Sequence, residues 1–180
     1  MRGFLFWLIL GLPSLGVQAQ TYVSERATVT FFREAAVENL EATNSKPTCA
    51  YDPASGVIAF QVPIAEFQFK KSLMKKHFNE KYMESGKFPA ASFTGLLLGF
   101  SFNTPGPQSV HAKGKLTIHG VTREVDVPGT AEMMGSYLVI RSKFTVQFID
   151  YQVRIPELFW KSVAESVDVS IDFTLKSSGR

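Results

Sequence analysis

Apolar and polar residues alternate along most of this chain, with a period of two. Ala27, Val29 and Phe31 share one side of a stretch whose other side carries Thr28 and Thr30. Ile58, Phe60, Val62 and Ile64 repeat the pattern within Val57 to Phe69, where Pro63 predicts an edge strand or a bulge. Tyr137 to Asp150 sets Leu138, Ile140, Phe144, Val146 and Phe148 against Arg141, Lys143, Thr145 and Gln147. Val167 to Lys176 turns Val167, Val169, Ile171, Phe173 and Leu175 one way and Asp168, Ser170, Asp172 and Thr174 the other. Ala91 to Phe102 predicts another strand, and the more polar Val37 to Asn44 a solvated one. Pro47 to Gly56, with two prolines and D-P-A-S-G, predicts a turn cluster.

The strongest local signal runs from Val110 to Val127. His119-Gly120 is a two-residue loop of the X-Gly kind that supplies the positive φ angles of a primed hairpin turn. That loop dictates a register: Ile118 faces Val121, Thr117 faces Thr122, Leu116 faces Arg123, Lys115 faces Glu124, and Lys113 faces Asp126. One face then carries a Thr–Thr pair and two opposite-charge pairs, which are favourable cross-strand neighbours. The other is apolar, with Arg123 as its single intruder. A one-residue slip would break every pairing.

The period changes once. In Lys71 to Tyr82, Met74, Phe78 and Tyr82 recur every four residues while Lys75, Lys76, Glu80 and Lys81 lie elsewhere on the cylinder, which predicts a short amphipathic helix. About eight one-sided strands and a helix predict an all-β antiparallel barrel or sandwich. No internal repeat and no low-complexity linker divides the chain.

The first residues read differently. Met1-Arg2, the apolar run Gly3 to Leu12 and the small residues of Val17-Gln18-Ala19 predict a secretory signal peptide over 1–19, cleaved after Ala19. Pro13, Ser14 and Gly16 interrupt the run short of the roughly 20 apolar residues a membrane span needs. The domain would then be 20–180, exported to the periplasm or secreted, with no integral membrane span. A chain of that length buries a sufficient core without staples, which suits the single cysteine, Cys49. The formal charge is +3, of which Arg2 supplies one, too small and dispersed an excess to argue for nucleic acid. Sixteen phenylalanines are a surplus that either fills a core or lines a cavity.

Catalytic signatures are missing. The sequence holds no G-x-S-x-G elbow, Walker loop or G-x-G-x-x-G, and no His, Cys, Asp or Glu pair at zinc-ligand spacing. The expectation is therefore no enzyme, no metal and no cofactor, with His119 structural at its hairpin tip. Two cationic features stay open. The lysines of the helix form either a solvated face or a lid over a barrel mouth. Arg123 either snorkels to water from a strand end or points inward, where a buried guanidinium needs an acid partner and the phosphate of a ligand head group would serve.

Two stretches carry a family resemblance. Leu116-Thr117-Ile118-His119-Gly120-Val121-Thr122 resembles the hairpin signature of the YceI-like family of polyisoprenoid-binding, lipocalin-like proteins. Lys87-Phe88-Pro89-Ala90-Ala91-Ser92-Phe93 is similar to that family's second hallmark, in the same order and at matching spacing. Ser72 to Tyr82 and Asp150 to Pro156 resemble a subgroup found in Bacteroidetes-type bacteria. The chain departs from the pattern at Tyr22 to Ala27, where many members carry an Asp and a His-Ser pair.

The resemblance implies an eight-stranded lipocalin-like barrel around an elongated apolar channel, with an apolar lipid such as an isoprenoid, quinone or fatty-acyl chain as its partner. The inward positions expected to line that channel are Phe31, Phe60, Val62, Leu116, Ile118, Ile140, Phe144, Ile171 and Phe173. A second reading is a periplasmic, stress-related interaction module with a filled core, whose Leu158-Phe159-Trp160 segment and basic helix meet an unknown protein partner.

Overall fold

His119 and Gly120 both adopt positive φ, 51° and 75°, and close the predicted two-residue hairpin. The structure, a computed structural model, describes residues 20–34, 39–154 and 166–179. The hairpin joins β7 (Gln108–Ile118) to β8 (Val121–Met134), and its register is the predicted one, from Ile118↔Val121 through Leu116↔Arg123 to Lys113↔Asp126. Thr117 and Thr122 share a hydrogen bond of 2.8 Å on the wet face, and Lys113 sits 2.9 Å from Asp126.

The other strands are β1 (Tyr22–Arg33), β2 (Leu40–Asn44), β3 (Thr48–Asp52), β4 (Val57–Pro63), β5 (Gln68–Phe69), β6 (Ala90–Leu98), β9 (Tyr137–Gln147) and β10 (Ser166–Ser177). Every pairing is antiparallel, and β10 closes on β1 from Tyr22↔Ser177 to Phe32↔Asp168. Ten segments make eight staves. β2 and β3 both pair with β1, at its two ends, as one stave broken at Ser45 to Pro47. β4 and β5 are likewise one stave, broken by a 3₁₀ turn at Ile64–Glu66. The result is a closed, up-and-down, eight-stranded barrel.

Asn44 holds the two breaks together. It is fully buried; its Nδ2 donates to the Pro63 carbonyl (2.7 Å) and its Oδ1 accepts from the Lys46 N–H (2.8 Å). Both backbone groups would otherwise lack a ladder partner.

Two expectations need correction. Pro47 to Gly56 is not turn throughout, because Thr48–Asp52 forms β3 with Cys49 and Tyr51 turned inward; only the D-P-A-S-G end makes the turn. Five alternating residues between prolines are too short a period signal to outweigh the turn formers. Pro63 neither bulges nor marks an edge: it ends β4, and the chain then turns before β5. The expected helix is present, with α1 (Ser72–His77) passing into a π turn at Phe78–Tyr82. No helix among the described residues is long and apolar enough to cross a membrane. The stretches 1–19 and 158–160 lie outside the described residues.

Candidate functional site

The inward faces of the staves meet α1 at one end of the barrel, and an apolar cavity lies between them. Val29 and Phe31 of β1, Phe60 and Val62 of β4, and Leu116 and Ile118 of β7 form part of its wall. Phe144 and Val146 of β9, Val167, Val169 and Ile171 of β10, and Leu40 of β2 and Ala91 of β6 add to it. The period of two puts each of these side chains inside. Met74, Phe78 and Tyr82, the four-residue stripe of the helical segment, roof the space together with Ile64, Phe67 and Phe69. Phe148, Tyr151 and Val153, around the 3₁₀ turn Ile149–Tyr151, close the opposite rim.

The wall is apolar throughout, and the free volume is about 140 Å³. That is below the roughly 300–1,000 Å³ of a typical small-molecule site. Much of the remaining space is held by rings at the roof. Phe31 stacks on Phe78 with centroids 5.5 Å apart and lies 5.1 Å from Phe67 and 5.8 Å from Phe69; Phe69 and Phe78 are 5.0 Å apart. Such pairs are each worth roughly 0.5–1.5 kcal/mol beyond area burial. An apolar chain of low polarity is what this surface can solvate; a charge placed there would have no partner.

Of the residues expected along the channel, Phe31, Phe60, Val62, Leu116, Ile118, Phe144 and Ile171 line this cavity. Ile140 and Phe173 lie deeper, in the wall of a smaller space. The roof residues Met74, Phe78 and Tyr82 were legible as a helical stripe, but nothing in the sequence said that the stripe faces the barrel interior. Arg123 is not part of the cavity wall. Its side chain reaches along the rim, where Nε donates to the Asp150 carbonyl at 2.9 Å, and the residue is exposed. A guanidinium at a strand end gains more from water and a carbonyl than from an apolar interior.

Charges are arranged outside the wall. Lys70 pairs with Glu41 (3.3 Å), Lys75 donates to Gln68 (3.2 Å), and Lys46 pairs with Glu66 (2.9 Å). The Lys46 hydrogen bond holds the Glu66 carboxyl below its ordinary range. His119 stands beside the hairpin turn, with Nε2 2.9 Å from Glu84 Oε2 and its ring edge-on to Phe88 at 4.5 Å. Cys49 is buried in the core, and that burial pushes its thiol up to about 12.

The sequence model of the YceI-like domain matches residues 21–175. The chain belongs to the YceI-like family. Solved structures similar to this YceI-like chain include a polyisoprenoid-binding domain from Saccharophagus degradans, with a TM-score of 0.75 at 8% identity, over 89% of this chain and 99% of that one. BcnA of Burkholderia cenocepacia gives 0.64 at 20% identity over 83% and 94% of the two chains. The YceI protein of Campylobacter jejuni gives 0.63 at 12% identity over 82% and 90%. At these identities the likeness is one of fold. No curated protein matches the sequence. The stretch Tyr22 to Ala27 lies toward the barrel end away from the helix, with Tyr22 opposite Ser177.

Proposed function

We propose that this protein is an exported, non-catalytic carrier that holds an apolar lipid chain, of isoprenoid, quinone or fatty-acyl type, inside the barrel. The observation that carries the reading is the wholly apolar wall under the helix, which includes seven of the nine positions expected to line a channel. Membership of the YceI-like family supports it, as does the likeness to a domain described as polyisoprenoid-binding. Transfer of a chain into such a space gains roughly 0.8 kcal/mol per buried CH₂. Entry of a long chain requires the roof rings around Phe78 to move apart. Export rests on the 1–19 segment and calls for N-terminal sequencing of the protein recovered from the cell envelope, which should begin at Gln20.

The test is native mass spectrometry of the purified protein followed by solvent extraction and lipid analysis. A discrete excess mass that extracts as one lipid class is the expected result. The modest cavity volume favours a second reading, the filled barrel that acts as an interaction module in stress. A clean apo mass, maintained after prenyl and acyl lipids are offered, would replace the carrier by that reading.

A further inference from the structure

The barrel interior is partitioned. Beyond the main cavity, away from the helix, lies a second apolar space of about 40 Å³, walled by Ile58, Phe93, Val110, Ile140 and Phe173 among others. The two spaces share Phe60, Leu116, Phe144 and Ile171, one residue from each of four staves. These four side chains are the partition, and two of them are rings.

The two rings are held differently. Phe60 stacks on Phe93 at 5.2 Å and meets Phe173 edge-on at 5.5 Å. Phe144 makes no ring pair among the described residues. Its strand is also less supported. The ladder between β8 and β9 runs from Met134↔Tyr137 to Gly129↔Ser142 and stops there, although β8 reaches back to Val121 and β9 on to Gln147.

Pro128 explains the stop. Ile118 and Val121 flank a two-residue turn and exchange hydrogen bonds, so the even-numbered residues of β8 aim their backbone groups away from β7, at β9. Pro128 is one of these and has no N–H to give. Its carbonyl accepts from the Ser142 hydroxyl, at 2.6 Å, in place of a ladder N–H. Lys143 to Gln147 therefore pairs on one side only, with β10. Phe144 stands on that stretch.

We infer that Phe144 is a gate between the two spaces and sets the length of apolar chain the barrel accepts. The inference rests on the lipid-carrier reading and refines it. A short chain fills the main cavity and ends against Phe60 and Phe144. A longer chain passes by displacing Phe144, because Phe60 would have to surrender two ring contacts while Phe144 has none to surrender among the described residues. The smaller space then receives the chain end.

Delipidated protein, titrated with fatty acids and linear prenols of increasing length, tests this. In the wild type, affinity should rise by about fourfold per added methylene and then break to a shallower slope. Phe144→Ala should move the break to longer chains and Phe144→Trp to shorter ones. Lys143→Ala, an outward change on the same strand, should leave the break in place. Folding of each variant is checked by its thermal transition, with Phe144→Leu replacing Phe144→Ala if the latter does not fold. A break that stays put in both Phe144 variants, or that Lys143→Ala moves as far, overturns the gate while leaving the carrier intact. A wild type that binds no chain of any length overturns both.

Discussion

Phe88 occupies the space that a side chain at Gly120 would need: a Cβ there would meet the Phe88 ring at 2.5 Å. The two stretches that carry the family resemblance, Lys87-Phe88-Pro89 and Ile118-His119-Gly120-Val121, are thus one contact in space. His119 completes it, edge-on to the same ring and paired with Glu84. The hairpin tip is thereby pinned to the segment that follows the helical roof.

Gly120→Ala should therefore destabilise the fold by about 1–3 kcal/mol, through positive φ and through the clash. Phe88 is a movable ring, so the cost should be smaller in a Phe88→Ala background. Urea unfolding of the two single variants and the double variant measures the coupling. Additive costs would show that the ring is not the cause.

A backbone neighbour cannot yield in this way. Gly114 faces Gly95 across β7 and β6, and a Cβ on Gly114 would lie 2.3 Å from the Thr94 carbonyl oxygen and 2.4 Å from the Gly95 Cα. Gly114→Ala should cost about 3 kcal/mol or more. Gly86→Ala, where nothing lies within 4 Å, should stay within about 0.5 kcal/mol in the same denaturation series.

Asn44 is the buried polar residue that joins both broken staves. Asn44→Leu keeps the branched shape but strips the Pro63 carbonyl and the Lys46 N–H of their partner. A loss of roughly 2–4 kcal/mol follows from two part-buried groups left unsatisfied. Hydrogen exchange should rise first at Lys46 and along β2 and β5. A loss near zero would mean that water replaces the side chain there.

Cys49 makes a pH prediction with a definite sign. Its thiol is held at about 12 against an ordinary 9.0, because burial disfavours the thiolate. Below the ordinary value both folded and unfolded states are neutral at this site, so its contribution is fully present. As pH rises from 9 toward 12 only the unfolded state ionises readily, and stability falls. At pH 8 the folded thiolate fraction is about a thousandfold below that of a free thiol. An aromatic disulfide reagent should label Cys49 at the rate of unfolding; labelling at the rate of a free thiol would refute the burial.

Local sequence determined each element whose information is local. The His119-Gly120 turn specified eleven cross-strand pairs, because a two-residue primed turn leaves no freedom of register. Alternation named the inward side of β1, β9 and β10, and the four-residue stripe found the helix. It did less well at Thr48–Asp52, where a five-residue strand hides among turn formers, and at Pro63, where one proline fits a bulge, an edge or a stop.

The closure of ten segments into eight staves depends instead on pairs far apart in the chain, such as Tyr22 with Ser177, and no local pattern encodes it. The same holds for the interior. Alternation says that Phe60 and Phe144 point inward, but only the packed barrel decides that Phe60 is clasped by Phe93 and Phe173 while Phe144 is not. Side-chain direction is a property of the strand. The space between side chains belongs to all the staves at once.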